Sequence, residues 1–146
     1  MDIIFDVDGT LMNIEHRRKF VDGSMGYKDW KAFENAMVDD TPFPNVFYMA
    51  RVLQDQGNRI IVLTGRNQRS ENVTFKQLTE SNLFPDKVMF RPDDSFVADH
   101  DLKRAMLNVL RSEGLNPTLV FDDRDNVVDM WRQEGLTCFQ VARGDF

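Results

Sequence analysis

The chain opens with an apolar run that ends in two aspartates, Ile3-Ile4-Phe5-Asp6-Val7-Asp8-Gly9-Thr10. A buried strand that delivers two carboxylates to its own C-terminal end is costly, because isolated buried carboxylates are strongly disfavoured. Two held close together need a cation or a shared proton. Asp6 can act as a nucleophile, as carboxylates do when they form aspartyl-phosphates. Asp8, past the strand end, can swing toward a leaving-group oxygen. To donate a proton there, its pKa must be raised by crowding. Thr64-Gly65-Arg66 and Asp122-Asp123-Arg124 each follow an apolar run of their own, and Asp99 precedes Lys103 by one helical turn. Asp6, Asp8, Asp122 and Asp123 together suit a hard divalent ion with oxygen ligands, Mg2+ first. Such an ion would offset repulsion between Asp6 and an incoming phosphate. Thr64, its neighbouring backbone amides at Gly65 and Arg66, and Lys103 would hold phosphoryl oxygens. Asp99 would fix the position of Lys103 across one helix face.

These residues must be brought together by the elements that carry them. Residues 3–5, 59–63, 87–90, 118–121 and 137–141 read as five strands. They are apolar without clean alternation, as expected of strands covered on both faces. Helical spacing marks residues 45–56, 71–81, 99–113 and 127–134, and Gly57, Gly114 and Gly135 supply stops. Alternating strands and helices predict an α/β fold with a mostly parallel five-stranded sheet between helical layers. Ligands of such sheets bind outside the C-terminal strand ends, where all of the residues above would lie. Residues 12–44 break the rhythm and are read as a small cap-like insertion after the first strand, within one domain spanning 1–146.

The chain has 146 residues, 42% of them hydrophobic, enough for a single core. Its net charge of −6 argues against a general grip on duplex nucleic acid, though not against a local basic pocket. The single Cys138 excludes an internal disulfide and reads as core, as do the scattered methionines. No run is long enough to span a bilayer, and the start lacks the basic-then-apolar pattern of a signal peptide, so a cytoplasmic location is expected. His16 reads as structural, and Trp30 and Trp131 as packing residues.

The DxDGT segment, the hydroxyl after the second strand, the helix lysine and the paired aspartates after the fourth strand resemble, in order, the four motifs of the haloacid dehalogenase-like (HAD) phosphatases. The resemblance covers most of the chain and implies a Rossmann-like three-layer fold. A narrower one exists to the 3′-phosphatase domain of bacteriophage polynucleotide kinase-phosphatase. It runs through Phe5-Asp6-Val7-Asp8-Gly9-Thr10-Leu11, His16-Arg17-Arg18, Asp29-Trp30, Phe33, Leu63-Thr64-Gly65-Arg66, Asp99 with Lys103, Asp122-Asp123-Arg124, Val128 to Arg132, and Gln140 to Phe146. By position it implies Asp6 as nucleophile, Asp8 as general acid, Arg17 and Arg66 as arginines serving the phosphate, and Asp122 and Asp123 as metal-binding acids. It also implies a phage source and, with it, the host cytoplasm. No GxxxxGK[ST] phosphate loop is present, so the resemblance implies no kinase activity here and leaves room for a separate kinase or ligase partner.

The small insertion leaves an open site, which suits a polymer end better than a metabolite. Arg17, Arg18, Arg66 and Arg124 are placed to grip neighbouring phosphates. The expected function is a Mg2+-dependent phosphatase removing 3′-phosphate, or opening 2′,3′-cyclic phosphate, at DNA or RNA ends. The alternatives are a nucleotidase acting on free mononucleotides and a non-enzymatic phospho-receiver. Asp8 speaks against the receiver, because an acid/base there promotes hydrolysis.

Overall fold

The computed structural model describes all 146 residues. One sheet contains β1 (Asp2–Phe5), β4 (Arg59–Asn67), β5 (Lys87–Arg91), β6 (Pro117–Asp122) and β7 (Thr137–Gln140); the short β2 (Met12–Asn13) and β3 (Thr41–Pro42) lie outside it. The order across the sheet is β5-β4-β1-β6-β7, and every neighbouring pair is parallel. The fold is therefore the expected Rossmann-like one. Central β1 is buried along its whole length, which is why it lacks an alternating pattern.

Side-chain parity sorts the core into two layers. Ile4, Ile61, Leu63 and Val120 pack with α4 (Asp99–Ser112) and α5 (Asp125–Gln133). Ile3, Phe5, Ile60 and Val62 pack with α2 (Pro44–Asp55) and α3 (Glu71–Glu80). Phe5 and Phe121 stack at 4.5 Å across the second layer. The same parity decides where the polar residues at the strand ends point. Asp6 continues the face of Ile4, and Asp122 that of Val120, toward α4 and α5. Thr64 and Arg66 continue the face of Ile60 and Val62, toward α3.

Strand β4 is longer than expected, running to Asn67 instead of stopping at Leu63. Two side chains hold the extra length: Thr64 Oγ1 accepts from the Arg66 amide at 3.1 Å, and Arg91 Nε donates to the Gly65 carbonyl at 3.1 Å. The insertion is closed at its base by antiparallel pairing of β2 with β3. It contains a 3₁₀ turn (Glu15–Phe20), α1 (Trp30–Asn35) and a second 3₁₀ turn (Ala36–Asp39). No helix is long and apolar enough to cross a membrane.

At the opposite end of the sheet, Asp2 joins three strands. It accepts from Arg59 Nε at 2.6 Å and Nη2 at 3.1 Å, and from the Asn116 amide at 2.8 Å. The Arg59 hydrogen bond holds the Asp2 carboxyl below its ordinary value. Asp2→Asn is expected to cost roughly 1–2 kcal/mol at neutral pH, discounted because Arg59 is half-exposed. A depressed folded-state pKa adds stability above the unfolded value, about 3.9, that is lost as pH falls through the folded one. The gap between the two proteins in urea denaturation should therefore close below about pH 4; a gap independent of pH would contradict the ion pair.

Candidate active site

Lys103 organises one half of the rim. Its Nζ donates to Asp6 Oδ1 at 2.7 Å and to Asp122 Oδ2 at 2.9 Å, and it is almost fully buried. It reaches them from α4 because its neighbours Leu102 and Met106 pack on the same sheet face. Trp131 of α5 donates to Asp122 Oδ2 at 3.1 Å. Thr10 Oγ1 lies 3.1 Å from Asp6 Oδ2 and 3.3 Å from Asp123 Oδ1. Carboxylate oxygens of Asp6, Asp122 and Asp123 lie within 4.8 Å of one another.

Burial and then the Asp122 charge push Asp6 well above the ordinary carboxylate range, against Lys103. The same two causes raise Asp123. Burial pulls Lys103 down, but the charges of Asp122, Asp6 and Asp99 outweigh it and leave the lysine above its ordinary value. One ammonium cannot balance three carboxylates. Asp123 Oδ2 is moreover buried without a hydrogen-bond partner; its nearest cation is Arg18 Nη2 at 3.7 Å. An all-oxygen, crowded, partly unsatisfied acidic set fits a hard divalent cation such as Mg2+.

Asp8 belongs to the other half. The chain leaves β1 at Phe5 and turns through Gly9, whose φ of +85° favours glycine. A Cβ on Gly9 would lie 2.0 Å from Asp123 Oδ2, so the turn packs directly on the acidic cluster. It carries the Asp8 side chain away to Arg17 Nη2 at 3.0 Å and Arg66 Nε at 2.9 Å. Asp8, expected in the metal set, is thus not among the three converging carboxylates. The expected rise in its pKa is also corrected. Burial does push it up, but the Arg66 and Arg17 guanidiniums win and hold it below its ordinary value. Those arginines, expected to serve the substrate phosphate, are turned toward protein carboxylates.

Behind Asp8 lies a residue that the sequence did not single out. Asp40, fully buried, accepts from Arg17 Nε and Nη2, both at 2.8 Å, and from Arg66 Nη2 at 3.0 Å. His16 Nε2 lies 2.7 Å from it. Arg66 Nη1 also donates to Thr74 Oγ1 and Gln77 Oε1 of α3. Nothing in the spacing of Asp39-Asp40 marks this role.

Asp99 does not hold Lys103 by contact as expected. It accepts from Arg91 Nη2 at 2.5 Å and Arg124 Nη1 at 2.9 Å, because Lys103 points inward while Asp99 lies over the end of β4. A Cβ on Gly65 would come within 2.9 Å of Asp99 Oδ1. All four arginines expected to be open to phosphates, Arg17, Arg18, Arg66 and Arg124, therefore already have carboxylate partners; Arg18 pairs with Glu15 at 3.2 Å and Asp123 at 3.7 Å and stacks on Phe146 at 3.9 Å. Trp131 is buried, but Trp30 is exposed, contrary to its reading as a packing residue. Cys138 is buried, and burial followed by Asp122 pushes its thiol up to about 12.

The model of the polynucleotide kinase PNKP phosphatase domain matches residues 1–146. The chain belongs to that family. It is accordingly an HAD-type phosphomonoesterase. A protein of Autographa californica nuclear polyhedrosis virus described as a bifunctional polynucleotide kinase/RNA ligase is 28% identical over 144 residues, 97% of this chain and 19% of its own. A chain of the Pnkp1/Rnl/Hen1 complex superposes with a TM-score of 0.82 and 28% identity, covering 99% of this chain and 47% of that one. The chain thus spans about a fifth of the viral protein and just under half of that in the complex. The class C acid phosphatase of Bacillus anthracis, 14% identical with a TM-score of 0.68 over 99% of this chain and 67% of its own, shares the fold.

Asp40→Ala leaves two buried guanidiniums to share Asp8 as their one remaining carboxylate and is expected to cost about 3 kcal/mol of stability. Asp40→Asn should cost less. An unchanged denaturation midpoint in both would contradict the hub.

Proposed function

We propose that this phosphatase domain removes the 3′-phosphate from DNA or RNA ends through an aspartyl-phosphate on Asp6, with Mg2+ as cofactor. The observation that carries the reading is the division of the two aspartates that follow β1 between opposite charge environments. Asp6 lies among carboxylates and a lysine, and Asp8 between two arginines.

Asp6 attacks phosphorus, and the bond from phosphorus to the 3′-oxygen breaks. Lys103 and Thr10 restrict the Asp6 carboxylate to one orientation, which lowers the entropy cost of attack. Asp8 gives its proton to the departing oxygen. A phosphate dianion that competes for Arg17 and Arg66 weakens their hold on the ionised form and raises the Asp8 pKa at that stage. After the leaving group departs, Asp8 takes a proton from water, whose oxygen attacks phosphorus and restores Asp6. The low resting pKa of Asp8 suits this second, basic role. Lys103 and the backbone amides after Thr64 would meet the phosphoryl oxygens, and the Thr64 hydroxyl orders that turn by accepting from the Arg66 amide. Asp6, Asp122 and Asp123 would hold Mg2+, which supplies charge stabilisation for phosphoryl oxygens. Polymer-end specificity is supported by the family match, with its viral and RNA-repair-complex relatives. A separate kinase or ligase is the partner class we propose.

Phosphate release should be fastest from a 3′-phosphorylated oligonucleotide, slow from the 5′-phosphorylated one, and lost with chelator. Asp6→Asn should reduce it by at least about a thousandfold, the order seen when a catalytic group is removed. Faster release from free mononucleotides would make the enzyme a nucleotidase; turnover by Asp6→Asn would overturn the nucleophile.

A further inference from the structure

We infer that the exposed aromatic and lysine face of the insertion, centred on Trp30, binds the single-stranded nucleotides preceding the terminal phosphate. The inference rests on the polynucleotide reading above and assigns the residues that would distinguish a strand from a mononucleotide.

Trp30 is 61% and Tyr27 62% exposed. Isolated exposed aromatics are ordinary, and Phe84, 64% exposed near the start of β5, is one. Trp30 differs in its connection to the chemistry. Its ring meets Phe33 edge-on at 5.9 Å, and Phe33 lies 4.3 Å beneath the Arg17 guanidinium. Arg17 in turn donates to Asp8. A path of aromatic and guanidinium groups therefore runs outward from the general acid to the surface, and Trp30 is its exposed end.

Three lysines of the insertion are free to meet phosphates despite the acidic chain. Among the carboxylates of the insertion, Asp40 pairs with Arg17 and Arg66, Glu34 with Arg69 and Glu15 with Arg18; Asp29 accepts from the Ala32 amide at the start of α1, and it, Asp22 and Asp39 have no cationic side-chain partner within 4.0 Å. Lys19, Lys28 and Lys31 have no carboxylate partner within 4.0 Å; Lys28 lies 5.8 Å from the Trp30 ring and Lys19 5.3 Å from Phe20. Aromatic rings interleaved with unpaired cations are what a single strand requires. Bases stack on any flat ring, and phosphates between them meet the ammonium groups. Stacking does not depend on sugar type, so DNA and RNA share this surface.

The test is fluorescence anisotropy with labelled eight-nucleotide single strands, one DNA and one RNA, ending in 3′-hydroxyl. Kinetics are measured in parallel on a 3′-phosphorylated strand and a 3′-mononucleotide. Trp30→Ala is expected to weaken strand binding about tenfold, and Trp30→Tyr to retain most of it. Lys28→Ala and Lys31→Ala should each lower the salt slope by about 0.7. In kinetics, Trp30→Ala should raise KM for the strand and leave the mononucleotide unchanged, and Phe84→Ala should alter neither. Equal strand binding by wild type and Trp30→Ala, or no strand binding by wild type, would overturn the inference. So would equal losses on both substrates, which would signal a structural role. Failure of the phosphatase reading looks different: no 3′-phosphate release, with Trp30-dependent binding intact.

Discussion

The contact of Lys103 with Asp6 and Asp122 is the interaction on which the rest of the site depends. Three carboxylates, one just past β1 and two at the end of β6, share a nearly dry space, and one ammonium from α4 is bonded into it. The sheet dictates this crowding, because parity directs Asp6 and Asp122 to the face that α4 and α5 cover. The packing of α4 then fixes the lysine. With two negative charges in excess, the cluster holds Asp6 and Asp123 above their ordinary pKa range and leaves one oxygen unpaired. A divalent cation would relieve both conditions.

The second constraint is the separation of Asp8 from this cluster. Residues two apart on a strand would share a face, but β1 ends before Asp6 and the Gly9 turn redirects the chain. Asp8 emerges among guanidiniums that Asp40 and α3 hold in place. Neighbouring aspartates thus acquire opposite tendencies, one raised and one lowered, without a change of residue type. These resting tendencies are the reverse of what a nucleophile and a general acid need, so the roles proposed for Asp6 and Asp8 require a cation at Asp6 and a phosphate competing for Arg17 and Arg66 at Asp8.

The fold and the convergence of strand-end residues were legible in the sequence because both follow from periodicity: apolar runs give strands, and parallel strands bring their C-terminal ends to one rim. The partners of each charge were not. Asp99 and Lys103 stand one turn apart, yet the lysine turns inward and the aspartate pairs with Arg91 and Arg124. Asp40 lies in an irregular segment where no period assigns a face, so its place between two arginines depends on tertiary packing alone. The exposure of Trp30, expected to pack, was not legible either, since it follows from α1 being a short helix that leaves the ring open. The raised pKa expected for Asp8 failed for the same reason, since the sequence does not say whether Arg17 and Arg66 turn toward substrate or toward protein.

The division between Asp6 and Asp8 can be measured directly by NMR titration of 13C-labelled aspartate carboxyls, assigned with Asp6→Asn and Asp8→Asn, in the absence and presence of Mg2+. The account expects Asp8 to titrate below the ordinary aspartate range in both conditions. It expects Asp6 to titrate above that range without the ion and to move down when Mg2+ is added. Two aspartates titrating together near the ordinary value, or an Asp6 indifferent to Mg2+, would contradict it.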